Sequence, residues 1–325
     1  DLYPSKNFST LDGLSNNSVY SILKDSRGIL WIGTANGVSS IENGIIKNYF
    51  ESDGMSSNNC WDIIEDNNKN IWFGSHGGGI TLYNGEKFTV INESKGLVNN
   101  SIRRLFIYKR YIYVGTENGI SIINIDTKKI VNIKGDSSHG SFQVMDFFES
   151  KSKIYLGTNK DGCWAINDNN RKLTFIKTGV PNVFSIHKNR NDLLICVGGV
   201  DGNCLKKITV EDFVSNKQSK KSIGNTVFWD FVTNKKQETY GVGNGIIFPT
   251  GGIFKIIGEK TINLSKAFGI DSVEFWSVFY DDKNEILYVG TLDKGLYVVD
   301  LKQQLNYYPS SFFNKPKLEI ISINK

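Results

Sequence analysis

Hydrophobic and polar positions alternate along this 325-residue chain in short runs that end at turn residues, and the runs recur at a fixed spacing. In the first unit, Val19-Tyr20-Ser21-Ile22-Leu23 is rich in β-formers. Asp25-Ser26-Arg27-Gly28 supplies turn residues, and Ile29 to Gly33 reads as a second strand. Ala35-Asn36-Gly37 closes a hairpin in which Asn and Gly are expected to take positive φ. Val38 to Ile41 and Ile45 to Phe50 complete four strands, with Asn43-Gly44 turning between them. No segment holds a helical period long enough to compete.

The unit repeats. Gly13-Leu14-Ser15-Asn16-Asn17-Ser18-Val19 aligns with Gly54-Met55-Ser56-Ser57-Asn58-Asn59-Cys60 and with Gly96-Leu97-Val98-Asn99-Asn100-Ser101-Ile102. A second anchor follows each copy: Trp31-Ile32-Gly33-Thr34, Trp72-Phe73-Gly74-Ser75 and Tyr113-Val114-Gly115-Thr116. Weaker copies put further anchor glycines at Gly157, Gly198, Gly241 and Gly290, so successive spacings are 41, 41, 42, 41, 43 and 49. A period of about 40–45 with four short strands is the signature of a propeller blade. Seven anchors predict an all-β, seven-bladed β-propeller of four-stranded antiparallel blades.

A ring needs closing, because an unpaired edge invites aggregation. Asn7 to Gly13 resembles the end of a fourth strand, like Tyr49 to Gly54, and is expected to complete the last blade from the N-terminal side. Leu305-Asn306-Tyr307-Tyr308 competes for that place. The propeller is therefore assigned to residues 1–308. Residues 309–325, containing the extended run Lys315 to Ile323, read as a linker or as the first strand of a following domain not contained in this chain.

Composition narrows the function classes. At 39 % hydrophobic and 22 % charged residues the chain can bury a large core without metal or disulfide staples. No run approaches the roughly 18 apolar residues of a membrane span. The chain opens at Asp1 with no signal-like apolar segment, as expected once a targeting peptide has been removed. The net charge of +5 is small, and 32 Lys against 6 Arg argues against phosphate-specific recognition. Lys206-Lys207 and Lys217 to Lys221 make a local basic patch, read as a solvated loop and not as a nucleic-acid surface. Cys60, Cys163, Cys196 and Cys204 fit no zinc spacing. Cys196 and Cys204 suit two strands of one hairpin, as a disulfide or as two buried thiols.

The block Gly13 to Val19, then Asp25 to Thr34, then Asn36-Gly37-Val38, resembles the two-component regulator propeller repeat. The resemblance is close in the first two blades, fair in the third and seventh, and degenerate between. Lys317 to Ile323 also resembles the start of the triple-tyrosine domain that follows such propellers. The resemblance implies an extracytoplasmic, periplasmic location, glycan-type ligands, and signalling through a transmembrane helix outside this chain to a kinase, the receptor acting as a homodimer.

Aligning the first strands gives three columns. Tyr20, Trp61, Arg103, Met145, Phe184, Trp229 and Trp276 form one, read as outer-facing and packed between blades. Its neighbour, Ser21, Asp62, Arg104, Asp146, Ser185, Asp230 and Ser277, is small or polar throughout, as expected beside a narrow axial channel. These polar groups could bind a polar ligand or a cation; the plainer reading is that they bond backbone groups of neighbouring blades. The third column, from Ile22 to Val278, is apolar.

Propeller geometry places the loop before each first strand and the second-to-third hairpin on one face. That face collects amides, carboxylates and amines beside Trp and Tyr, the groups a carbohydrate needs. The recurring Asn pairs read more simply as turn formers. Residues that break the repeat are the better ligand candidates: Trp61, Arg103, Arg104 and His76, then His139 and Lys160. For each, a structural role or plain exposure is the alternative. No cofactor or metal is expected.

Enzyme readings rest on less. Asp25 to Trp31 resembles the Asp-box turn of sialidases, but Asp66 to Trp72 occupies the same turn, which makes the motif a fold feature. Carboxylate pairs for glycoside hydrolysis could be drawn from Asp62, Asp146 and Asp230. His187 falls late in its strand, towards the opposite face. The expected function is an extracytoplasmic sensor that binds an oligosaccharide and catalyses nothing. A propeller glycoside hydrolase or polysaccharide lyase, and a protein-interaction scaffold, are the alternatives.

Overall fold

A computed structural model describes residues 3–134, 142–167, 171–176, 182–197, 205–215, 222–224, 226–244, 251–272, 274–308 and 319–324. Seven four-stranded antiparallel sheets stand around one axis. Their innermost strands are Val19–Lys24, Cys60–Glu65, Ile102–Tyr108, Gln143–Ser150, Val183–Asn189, Val227–Thr233 and Phe275–Asp281. Each packs against the next, and the seventh packs against the first.

The last blade takes its outermost strand from the N-terminus: Ser5–Phe8 pairs with Leu296–Asp300, Ser5 opposite Val299 and Phe8 opposite Leu296. The expected N-terminal closure is therefore what the chain does. Gln304–Tyr308 pairs instead with Glu319–Asn324 in a two-stranded sheet that joins none of the blades. In the first blade the strands Val19–Lys24, Leu30–Thr34, Val38–Glu42 and Ile45–Tyr49 fall within a residue of their expected ends. The hairpin at Asn36-Gly37 differs in one respect: only Gly37 takes positive φ, at 98°. A short helix, Val210–Val214, interrupts the fifth blade, capped by the Thr209 hydroxyl, which accepts from the Asp212 N–H.

Blade-to-blade packing explains the anchor glycines. A Cβ on Gly33 would stand 3.0 Å from the Cys60 sulfur, and one on Gly157 would stand 2.4 Å from Val183, both on the next blade's innermost strand. These glycines are kept for close approach, not for a special φ. The aspartates of the repeated turns are likewise structural. Asp25 is buried; it accepts from the Arg27 and Ile29 N–H groups and from the Trp31 indole at 3.0 Å, and Asp66 does the same work for Trp72. Burial alone would raise the Asp25 carboxyl, but the Trp31, Arg27 and Ile29 bonds hold it below its ordinary value.

The Asn pairs shape turns. Asn17, Asn58 and Asn100 each accept, at 2.8 Å, the N–H of the residue seven positions earlier, which ties the turn after one outermost strand to the next lead-in. Gly37, Gly79 and Gly295 then donate to the carbonyls of Asn58, Asn100 and Asn17 on the following blade. His139, Cys204, Asp201, Gly198 and Lys217 to Lys221 lie outside the described residues. The Cys196 sulfur accepts from the Phe228 N–H of the next blade at 3.1 Å.

Candidate functional site

Every innermost strand breaks register with its neighbour at one place, near its upper, N-terminal end. The shifts fall between Val19 and Ser21, Cys60 and Asp62, Ile102 and Arg104, Val144 and Asp146, Val183 and Ser185, Phe228 and Asp230, and Phe275 and Ser277. A β-bulge re-aims the residue it leaves unpaired. The seven bulged residues are Tyr20, Trp61, Arg103, Met145, Phe184, Trp229 and Trp276. They line one depression at the upper mouth of the channel.

This corrects the expectation that their column faces outwards between blades: strict alternation along a strand predicts the wrong side once a bulge intervenes. Their rings meet one another around the axis. Tyr20 lies 5.6 Å from Trp61 and 5.7 Å from Trp276, Trp61 meets Trp276 edge-on across the opening, and Trp229 stacks on Trp276 at 4.4 Å. Phe184 continues the collar to Trp229. All seven are half-buried, so each keeps a surface open to a ligand. The space between them is about 40 Å³, room for about one water.

Four of the sequence candidates come together here: Trp61, Arg103 and Arg104 line the depression, and His76 packs on Trp61. The Arg103 guanidinium lies 4.5 Å from the Trp61 ring, and the His76 imidazole stacks on that ring at 5.2 Å. Both basic groups turn to one carboxylate: Arg103 Nε donates to Glu117, and His76 Nε2 stands 3.8 Å from it. Glu117 also accepts from Gln143, whose oxygen accepts from Asn159. Glu117 lies in a second-to-third turn and is one of the carboxylates the sequence places on this face; Gln143, at the start of a first strand, was not singled out. Lys160 sits exposed on the corresponding turn of the fourth blade and does not line the collar.

Arg104 lies one residue deeper. It donates through Nε to Asp146 at 3.0 Å and through Nη2 to the same carboxylate at 3.3 Å, with Asp230 at 3.7 Å. The acids of this layer span the seams. Asp62 accepts from the N–H of Ile63 on its own blade and of Leu105 on the next, at 3.0 and 2.7 Å. Asp146 bonds Phe147 and Ile186 in the same manner, and Asp230 bonds Phe231 and Val278. Ser21 accepts from Ile63 of the next blade. The polar column thus holds the blades together.

Below it opens a cavity of about 490 Å³ lined by Asp62, Arg104, Asp146, Glu149, His187 and Lys188, with apolar neighbours. His187 faces this lower side, as its place late in the strand implies. Burial pushes its imidazole down to about 4, and Nε2 is 2.7 Å from the Thr233 hydroxyl. Among the described residues no cluster of three or more His, Cys, Asp or Glu could hold a metal ion.

Burial, opposed by Arg104, leaves the Asp230 carboxyl raised to about 6 and the Asp62 carboxyl above its ordinary value. The unfolded chain releases the Asp230 proton near 4. Between those values the folded state holds the extra proton, so stability is fully present below about pH 4 and falls as pH rises through 6. Relative to Asp230→Asn, the wild type is expected to lose about 1–3 kcal/mol across that window. Urea unfolding of both proteins from pH 4 to 7 checks this; parallel curves would rule it out.

Residues 13–36 and 54–77 match the sequence profile described as "Two component regulator propeller". No curated protein sequence matches the chain. The extracellular domain of a hybrid two-component system of B. thetaiotaomicron superposes with a TM-score of 0.76 at 18 % identity, over 95 % of this chain and 43 % of that one. A second such extracellular domain from the same organism gives 0.71 and 17 %, over 95 % and 41 %. A catalytically inactive virginiamycin B lyase from Staphylococcus aureus, solved with quinupristin, gives 0.70 and 15 %, over 91 % and 99 %. At such identities the likeness establishes the seven-bladed frame. The chain spans less than half the length of the two B. thetaiotaomicron domains. Matched in two successive blades on that frame, this chain carries the repeat of the two-component regulator propeller family.

Proposed function

We propose that this chain is a periplasmic sensing domain of a two-component signalling receptor, and that it binds an oligosaccharide at the upper mouth of its channel without turning it over. The collar carries the reading. It offers aromatic faces to the C–H face of a sugar, with Arg103, His76, Glu117 and Gln143 alongside for hydroxyls. Among the described residues, the buried side-chain polar atoms without a partner are Asn59 Oδ1, the indole nitrogens of Trp61 and Trp229, and both amide atoms of Asn244. All five lie at the upper ends of the second and sixth blades. These atoms are closed to solvent, so a ligand across the collar would meet the ring faces of Trp61 and Trp229 and not their nitrogens. The 40 Å³ opening is too small for a sugar ring, so the ligand rests across the collar.

The reading that this region catalyses nothing is supported by the channel acids, whose oxygens are taken up by backbone N–H groups of two blades. Signalling would follow if the bound ligand favours one arrangement of a receptor homodimer, shifting its population and with it the state of a kinase outside this chain. Attachment to the membrane would likewise lie outside it.

A thermal-shift screen against purified oligosaccharides, with analysis of the recovered glycan, tests the proposal. A ligand at about 100 times its Kd adds roughly 2.7 kcal/mol of stability. The expected result is a shift with intact glycan, and a loss of about 2 kcal/mol of binding, some thirtyfold, in Trp61→Ala. Cleaved glycan would replace the sensor with an enzyme. A shift unchanged by Trp61→Ala and Trp229→Ala would remove the collar as its site.

A further inference from the structure

Two grooves flank the outer edge of the third blade, away from the channel. One, of about 480 Å³ between the second and third blades, has an apolar floor of Leu82, Ile91 and Ile130 and a rim of Lys87, Lys95 and Lys128. The other, of about 420 Å³ towards the fourth blade, is lined by Tyr111, Val131, Lys129 and Arg171. Both volumes fall in the range of small-molecule sites.

The ridge between them is the run from Thr127 into the outermost strand, Ile130–Ile133. Alternate residues of that run serve opposite sides: Lys128 and Ile130 line one groove, and Thr127, Lys129 and Val131 the other. One edge strand therefore places cationic groups in two adjacent apolar grooves.

The cations are held with their charge unspent. Lys128 takes a left-handed φ of 58°, donates to the Ile125 carbonyl and stands 4.9 Å over the Trp72 ring. Lys95 donates to the Val90 carbonyl at 2.6 Å, and the Arg171 guanidinium lies 5.3 Å over the Tyr111 ring. Among the described residues no carboxylate lines either groove. Of the acids next to them in sequence, Glu93 accepts from the Asn100 N–H, Asp126 faces Arg110 at 3.6 Å, and Glu86 lies outside the lining.

We infer that this double groove is a second binding site, distinct from the collar, for an anionic saccharide: a chain bearing carboxylate or sulfate groups whose apolar ring faces seat on the groove floors. Charge complementarity selects the anion. The concave floors and the flanking Asn70, Asn84, Thr89 and Asn124 favour rings with hydroxyls over a bare ion. The site does not depend on the function proposed for the collar.

Titration calorimetry with a fully sulfated tetrasaccharide, its desulfated counterpart and inorganic sulfate tests this. The sulfated sugar is expected to bind, to weaken as salt rises, and to lose about tenfold in affinity in Lys95→Glu/Lys128→Glu. A control double variant, Lys266→Glu/Lys283→Glu, reverses two exposed charges far around the ring and should leave affinity unchanged, as should Trp61→Ala. Equal binding of the desulfated sugar, equal loss in the control variant, binding of inorganic sulfate alone, or no binding would each overturn the inference. Thermal melts of each variant confirm that it is folded. If Trp61→Ala alone abolishes binding, the sugar sits at the collar and the groove is not a site.

Discussion

Replacing Arg104 with leucine is expected to cost about 3–5 kcal/mol of stability at pH 7. Arg104 is the one cation of a layer that holds the buried Asp62 and Asp146 and the half-buried Asp230, and hydrogen bonding fixes all three in place. A quarter of its own side chain still faces the channel. Burial works against its charge, but Asp146, Asp62 and Asp230 together raise its pKa and keep it protonated. Leucine fills part of the volume and leaves the acids facing one another without a counter-charge. They cannot turn away, because each bridges two blades through backbone N–H groups. Protonation is their remaining escape. The loss should therefore shrink at pH 5, below the value near 6 of Asp230. Urea unfolding at both pH values measures it. A loss under about 1 kcal/mol, equal at the two pH values, would mean that the acids do not need the guanidinium.

The second large effect is expected at the seam where the ring closes. A Cβ on Gly290 would stand 2.3 Å from the Ser277 hydroxyl, 2.6 Å from a Val19 methyl and 2.9 Å from the Val19 carbonyl. The hydroxyl belongs to its own blade, but Val19 belongs to the first, so no local repacking relieves both. Gly290→Ala should destabilise by about 1–3 kcal/mol by overpacking, with the seventh blade pushed off the first. Gly224→Ala is the matched control: its Cβ would meet nothing closer than 3.4 Å, and its stability should barely move. Equal behaviour of the two variants in thermal melts would show that the anchor glycines are not kept for blade contact.

The sequence contained most of the frame because each blade repeats the same local chemistry. Gly13, Gly54 and Gly96, with φ of 104°, 102° and 104°, end the same short turn three times, and a reader can align them without coordinates. Asp25 and Asp66 brace Trp31 and Trp72 within six residues, so that contact too is local. The site was legible in part. Trp61, Arg103 and His76 stood out as departures from the repeat, and they meet at the collar. Tyr20, Trp229 and Trp276 were visible as a column of large side chains but were turned the wrong way. Alternation carries no sign of the bulge that rotates them, because a bulge is a property of the pair of strands.

What the chain's own letters determined is the period, the four strands of each blade and the blade number, all set by turn propensity and alternation over fewer than fifty residues at a time; the closing strand was visible as a segment, but its pairing with Leu296–Asp300 spans nearly the whole chain. Only the tertiary structure decided which side chains face the axis, that Asp62, Asp146 and Asp230 each serve two blades with Arg104 among them, and that Lys128 and Lys129 open into separate grooves. Those outcomes depend on where seven separate strands come to lie beside one another. Packing settles that, and it joins residues as far apart in the chain as Asn7 and Lys294, or Lys24 and Asp281.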